Sequence, residues 1–208
     1  MPRRLPHTLR ADAEDNRERV LEAARTLFSE RGLDVPMRAI ARQAGVGPAT
    51  LYRRFPTKQA LIEAAFSDEL HACRTIVAEA CADPDPWRGL CSFLLRTGEL
   101  NARNQGFTEA FMTTFPDSFD FTAHRTAMLR SLADLCRRAR NAGSLRTGVV
   151  LDDLLLMLMA GRGLSAATVD QRVAAARRFS ALAVEALRGS GADAPLPPPA
   201  RFVAGLFN

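Results

Sequence analysis

The chain carries few of the groups that do chemistry on a bound atom. Its three histidines, His7, His71 and His124, stand isolated, with no carboxylate or cysteine at metal-ligand spacing. Its four cysteines, Cys73, Cys81, Cys91 and Cys136, form no close Cys-x-x-Cys or Cys/His pair. Reduced, partly buried thiols are therefore the reading, with a redox switch as the alternative. Gly-x-Ser-x-Gly, a Walker loop, His-Glu-x-x-His and the dinucleotide glycine pattern are all missing, so nothing points to an enzyme, a cofactor or a metal. No run approaches the length of a membrane span, and residues 1–15 hold Arg3, Arg4 and Arg10 but no apolar stretch of signal-peptide length. A cytoplasmic protein without a membrane partner is expected. One Tyr and one Trp among abundant Ala, Leu and Arg favour helix over sheet. The expected fold class is all-α, with about nine helices.

Lysine is as scarce, since Lys58 is the only one among 28 basic residues. The basic residues are also unevenly spread. Residues 1–60 hold 12 Lys and Arg against 7 Asp and Glu, while residues 61–208 hold 16 of each. The whole excess of +5 thus lies in the N-terminal third, the electrostatic footprint of a nucleic-acid module joined to a neutral partner domain.

Apolar spacing divides that third into short helices. Val20, Leu21, Ala24, Leu27 and Phe28 form one stripe, so a first helix is expected over Asp15–Glu30, with Asp15 and Glu18 as a capping box and Gly32 as the stop. Pro36 to Gln43 gives a second, burying Ile40, Ala41 and Ala44 and ended by Gly45, which can take the left-handed turn. Val46 plugs the corner. Gly47 suits an N-cap and Pro48 the first helical position of a third helix through Phe55, with Leu51 and Phe55 inward. A long fourth helix is expected from Pro56 and Thr57 to about Cys81. The two short helices around Ala44-Gly45-Val46 make a helix-turn-helix. Thr50, Tyr52, Arg53 and Arg54 then give its second helix an edge of hydrogen-bonding groups, and Lys58 stands where a helix start can hold a phosphate.

Ile40-Ala41, Ala44-Gly45-Val46, Thr50-Leu51-Tyr52, Phe55, Lys58 and Leu61, following an amphipathic helix, resemble the N-terminal domain of the TetR/AcrR repressors. The resemblance covers about residues 15–65. It implies DNA contacts at Arg38, Gly47, Pro48, Thr50, Tyr52, Arg53 and Lys58, and an all-α ligand and dimerisation domain beyond. Two departures from the family pattern stand out. Pro36 and Met37 stand where a capping Thr is frequent, which moves the cap to Asp34 or Val35, and Gly47 stands where Ser is common.

Pro84 and Pro86 precede a helix from Trp87 to about Asn104, and Phe107 to Phe115 forms a further apolar segment. Helices at about Phe121–Ala142, Asp152–Arg162 and Asp170–Leu187 complete the chain. Trp87, Phe107, Phe111, Met112, Phe115, Met128 and Met157 are candidates to line an effector pocket, with Glu99, Glu109 and Arg162 as polar contacts. Leu154, Leu158, Ala176, Phe179, Ser180, Ala183 and Leu187 are candidates for a homodimer interface, resembling half of a four-helix bundle. The organisation expected is a basic arm over 1–14, a DNA-binding domain over 15–60, an effector and dimerisation domain over 61–188, and a disordered or extended Pro-rich tail over 189–208. The function expected is a transcriptional regulator, a repressor, whose partners are a near-palindromic DNA operator, a small-molecule effector and a second copy of the chain. The alternatives are an activator of the same fold and a helical adaptor whose helix-turn-helix surface binds protein.

Overall fold

In the computed structural model the described residues are 6–104, 119–164, 166–191 and 194–200. Phe107, Glu109, Phe111, Met112, Phe115 and the last segment, residues 201–208, lie outside them. The described residues form nine α-helices and no strand: α1 Pro6–Arg31, α2 Met37–Ala44, α3 Pro48–Arg54, α4 Lys58–Ala65, α5 Ser67–Ala82, α6 Pro86–Arg103, α7 Phe119–Asn141, α8 Leu151–Arg162 and α9 Val169–Leu187. They divide into two compact units, with the boundary between Asp68 and Glu69.

In the first unit, the stripe read from the sequence is the core. Leu21, Ala24, Leu27 and Phe28 of α1 are buried, together with Ile40 and Ala41 of α2 and Leu61 of α4. Phe28 meets Phe66 with ring centroids 6.1 Å apart in a tilted arrangement. Arg25 of α1 donates from Nε to the Ala65 carbonyl at 2.8 Å, satisfying one of the orphan acceptors at the end of α4. At Gly45 φ is +67°, and the Gly45 and Val46 N–H groups donate back to Arg42 and Ala41. This Schellman closure makes the α2–α3 turn. No atom would crowd a β-carbon there, so the backbone angle alone calls for glycine.

Three expectations need correction in this unit. The first helix begins at Pro6, not Asp15. Asp15 and Glu18 therefore sit inside it, where neither can act as an N-cap, and the expected arm is helical from Pro6. The cap of α2 is Pro36, extended at φ −65° and ψ 142° and offering no side-chain acceptor, rather than Asp34 or Val35. The long fourth helix is two helices, because at Phe66 (φ −113°, ψ 21°) the backbone leaves helical geometry and turns the ring onto Phe28.

The second unit is built on close helix approach. Ile76, Leu90, Leu94, Leu135 and Leu154 belong to one buried cluster contributed by α5 to α8, which Val184 and Leu187 of α9 complete. Asp85 caps α6 by accepting from the Trp87 and Arg88 N–H groups, and Arg88 forks onto Asp83 at 2.9 and 2.6 Å. That guanidinium holds the Asp83 carboxyl below the usual carboxylate range. Arg138 of α7 donates to the Cys81 and Asp83 carbonyls, both at 2.8 Å, and so closes the C-terminus of α5. The four cysteines are free thiols. Burial pushes Cys73 and Cys136 up to about 11, which leaves both protonated and unreactive at neutral pH.

The small-residue stripe of α9 also needs correction. Ala176, Ser180, Ala183 and Leu187 are buried within the single chain, as is Leu154 of α8. A β-carbon on Gly98 of α6 would lie 2.5 Å from the Ser180 hydroxyl, so the small residues let α6 and α9 approach each other. Leu158 and Phe179 are half-buried, and Phe179 lies over Gly161. Residues 194–200 hold no regular secondary structure, and the Ala194 carbonyl accepts from Arg146 at 2.8 Å.

Glycine contacts give opposite signs for two substitutions. A β-carbon at Gly89 would sit 2.3 Å from the backbone oxygen of Ala80, which has no room to move, so Gly89→Ala should destabilise by about 1–3 kcal/mol despite its higher helix propensity. At Gly161 the nearest atoms, on Phe179, lie at an ordinary 3.5 Å, and Gly161→Ala should instead gain about 0.5–1 kcal/mol. Urea midpoints of the two variants check this directly.

Candidate nucleic-acid interface

A seven-residue helix cannot hold its own shape in water, because nucleation costs more than so few hydrogen bonds return. α3 is held by its environment. Gly47 is its N-cap in extended geometry, Pro48 fills the first position where no N–H is needed, and the Thr50 and Leu51 N–H groups close onto the Gly47 carbonyl. Leu51, only 1% exposed, and the buried Phe55 anchor one face to the core.

Anchoring that face fixes what the other presents. Gly47, Pro48, Ala49, Thr50, Arg53 and Arg54 are exposed, and Tyr52 keeps half of its surface in solvent. A tyrosine used for packing would not leave its ring there, so Tyr52 belongs to the outer surface. Arg54 lies 4.0 Å from Glu14 of α1, whereas Arg53 has no carboxylate partner among the described residues.

Lys58 opens α4 and is half-buried. Thr57 caps that helix, its hydroxyl accepting from the Ala60 N–H at 3.0 Å. The Lys58 and Gln59 N–H groups precede that bond and have no intrahelical acceptor, so amides and helix dipole favour an anion at the end where Lys58 stands. Arg38 lies on the exposed side of α2, next to Met37, which is buried. The apolar Met37 packs where a capping hydroxyl is frequent in the family resembled.

The structure gathers Thr50 and Arg53 into one cleft with Asn16 and Arg17 of α1. In the sequence Asn16 and Arg17 have the pattern of a solvated helix face, so neither stands among the candidate site residues. Their position three and four residues before the buried Val20 was the available signal. Of the effector-pocket candidates, Trp87, Met128 and Met157 pack against the core of the second unit, and Arg188 stacks over Trp87 at 5.1 Å. The recess beside Met157, Gly98 and Phe179 has a volume of about 10 Å³, room for one water at most. Glu99 is taken up by Arg177, which forks onto it at 2.8 and 3.0 Å. Among the described residues no His, Cys, Asp and Glu cluster suits a metal, and no helix is long and apolar enough to cross a membrane.

Two family models match the chain. Residues 20–65 match that of bacterial regulatory proteins of the tetR family, and residues 85–189 match the C-terminal domain of SbtR-like transcriptional regulators. The chain belongs to the TetR family. Its helix-turn-helix is thus the DNA-binding element of a transcriptional regulator, in a family of regulators rather than enzymes. The regulator UidR of Escherichia coli K12 is 42% identical over 57 residues, 27% of this chain and 29% of UidR. The match thus spans less than a third of that curated relative, and it falls on a stretch of helix-turn-helix size. The TetR regulator SCO0520 from Streptomyces coelicolor is 32% identical, with 84% of this chain and 99% of that one covered and a TM-score of 0.51. AibR, solved in complex with isovaleryl coenzyme A and operator DNA, shares the fold at 17% identity, with 83% and 97% covered and a TM-score of 0.64.

Adjacent residues of this TetR-family helix should behave in opposite ways. Leu51→Ala should cost about 2–5 kcal/mol of stability, because it removes the anchor of α3. Tyr52→Ala, with its side chain in solvent, should change stability by no more than about 0.5 kcal/mol. Chemical denaturation of both variants makes the comparison, and equal losses would place Tyr52 in the core.

Proposed function

We propose that this regulator is a repressor that binds a near-palindromic operator as a homodimer and leaves it when a small molecule binds. In this reading residues 15–60 carry DNA binding, residues 61–188 carry effector binding and dimerisation, and the protein acts in the cytoplasm where the DNA is. The observation that carries the reading is α3, whose buried face is anchored while Thr50, Tyr52 and Arg53 stand in solvent. The segregated charge supports it. All of the +5 excess lies in residues 1–60, where it meets a polyanion, and none in the rest.

Within this interface the residues divide by chemistry. Lys58, with the free N–H groups at the start of α4, holds a phosphate and fixes register, as does Arg38 from α2. Gly47 and Pro48 keep the start of α3 slim enough to enter the major groove. Arg53 forks onto a guanine edge, and Thr50 and Tyr52 offer hydroxyls to base or phosphate. Homodimer formation supplies the second half-site. The surface for it is the face of α8 and α9 that stays exposed, with Leu156 at 45% and Leu182 at 56%, in place of the stripe that α9 turns inward. The effector site draws on Trp87, Met128 and Met157 with Phe107, Phe111, Met112 and Phe115. AibR, which binds isovaleryl coenzyme A, supports a small-molecule site in this fold.

The test is a binding titration of Lys58→Ala and Arg53→Ala against operator and scrambled duplexes at several salt concentrations. Lys58→Ala should weaken both duplexes alike and reduce the salt slope by about one per protomer. Arg53→Ala should cost about 1–3 kcal/mol per half-site on the operator and much less on the scrambled duplex. An unchanged slope for Lys58→Ala removes the phosphate role. Equal weakening of both duplexes by Arg53→Ala makes that residue a backbone contact.

A further inference from the structure

The cleft between α1 and α3 has a volume of about 230 Å³ and two kinds of wall. Its floor is apolar, formed by Val20, Leu51 and Phe55, all buried. Arg17, Arg53 and Arg54 also line it, which brings three cationic side chains to one cleft. Among the described residues, Glu18 lies 3.7 Å from Arg17 and Glu14 lies 4.0 Å from Arg54. Arg53 has no such partner among the described residues. Two of the three cations are offset by these carboxylates, so the recess keeps a net positive charge, centred on Arg53, over an apolar floor.

We propose that this cleft binds a small apolar carboxylate, one ring or short branched chain bearing a single acid group, and that this ligand and DNA exclude one another. The second clause rests on the reading of Thr50 and Arg53 as DNA-facing, since both also line the cleft. The first stands without it. A guanidinium matches a carboxylate with two parallel hydrogen bonds, and the floor takes an apolar body that a bare inorganic anion would leave unfilled. The volume is below the roughly 300–1,000 Å³ of sites for drug-sized ligands, which matches a small ligand rather than a nucleotide or a long acyl chain. A DNA phosphate matches the cations alone. Bound there, the ligand occupies the side chains that α3 offers to DNA, and it relieves repression inside the DNA-binding unit itself.

The experiment titrates benzoate into the full-length, isotopically labelled protein and follows backbone amide resonances. The expected result is saturable shifts at Val20, Thr50, Leu51 and Phe55. Benzamide, the neutral isostere, should bind about tenfold more weakly, and Arg17→Gln, checked for native fold by its spectrum, should weaken benzoate by about the same factor. Shifts that do not saturate, shifts confined to residues beyond Glu69, or equal binding of benzamide overturn the site. So does an unchanged benzoate affinity in Arg17→Gln. The regulatory clause has its own readout: benzoate should displace a duplex bound by the protein more effectively than chloride at equal concentration. Saturable cleft binding with displacement no greater than that by chloride overturns the exclusion. If the protein binds no duplex, the resonance shifts still decide the site.

Discussion

The DNA-binding unit depends on how a seven-residue helix is kept in place. α3 has too few internal hydrogen bonds to persist alone, so its position is set by Leu51 and Phe55 beneath it and by the left-handed turn at Gly45 before it. The turn directs the chain and the two side chains stop α3 from rotating. Every exposed group on α3 inherits its direction from that anchoring, including the hydroxyls and guanidinium assigned to DNA and those that line the α1–α3 cleft. The neighbouring helices matter because they complete the core into which those two side chains fit. Arg25, reaching from α1 to the end of α4, ties the same set together from below.

The second unit uses a different device. Its helices approach closely at Gly89 and Gly98, where a side chain would meet backbone in one case and Ser180 in the other. Small residues on α9 are thereby spent inside the chain. That changes the search for a dimer surface, since an alanine and serine stripe signals close helix approach without saying whose helix approaches. Leu156 and Leu182, large and exposed, are better markers of an unpartnered face.

The helix-turn-helix was legible in the sequence because its requirements are local. The apolar spacing of α1, a glycine able to turn left-handed and a proline at the first position of α3 each follow from near neighbours. The start of α1 was misread because Asp15 and Glu18 have capping-box spacing, yet helix-compatible residues precede them and the helix runs back to Pro6. The break at Phe66 was hidden because its cause, the ring's seat against Phe28, lies 38 residues away in sequence. The inward turn of the α9 stripe was hidden for the same reason, its partner being Gly98. The charge division and the hydrogen-bonding edge of α3 were plain in the residues, whereas the cleft with Arg17 needed two helices set side by side.

The proposed repressor requires that α3 reads DNA in pairs. It is tested most directly by sequencing the duplexes that the purified full-length protein retains from a random pool. The expected result is an enriched inverted repeat whose half-sites are centred about 10–10.5 base pairs apart or a multiple of that, since two copies of α3 related by a twofold axis must meet the same groove face. Enrichment of a single unrepeated half-site, or of no sequence at all, would contradict it.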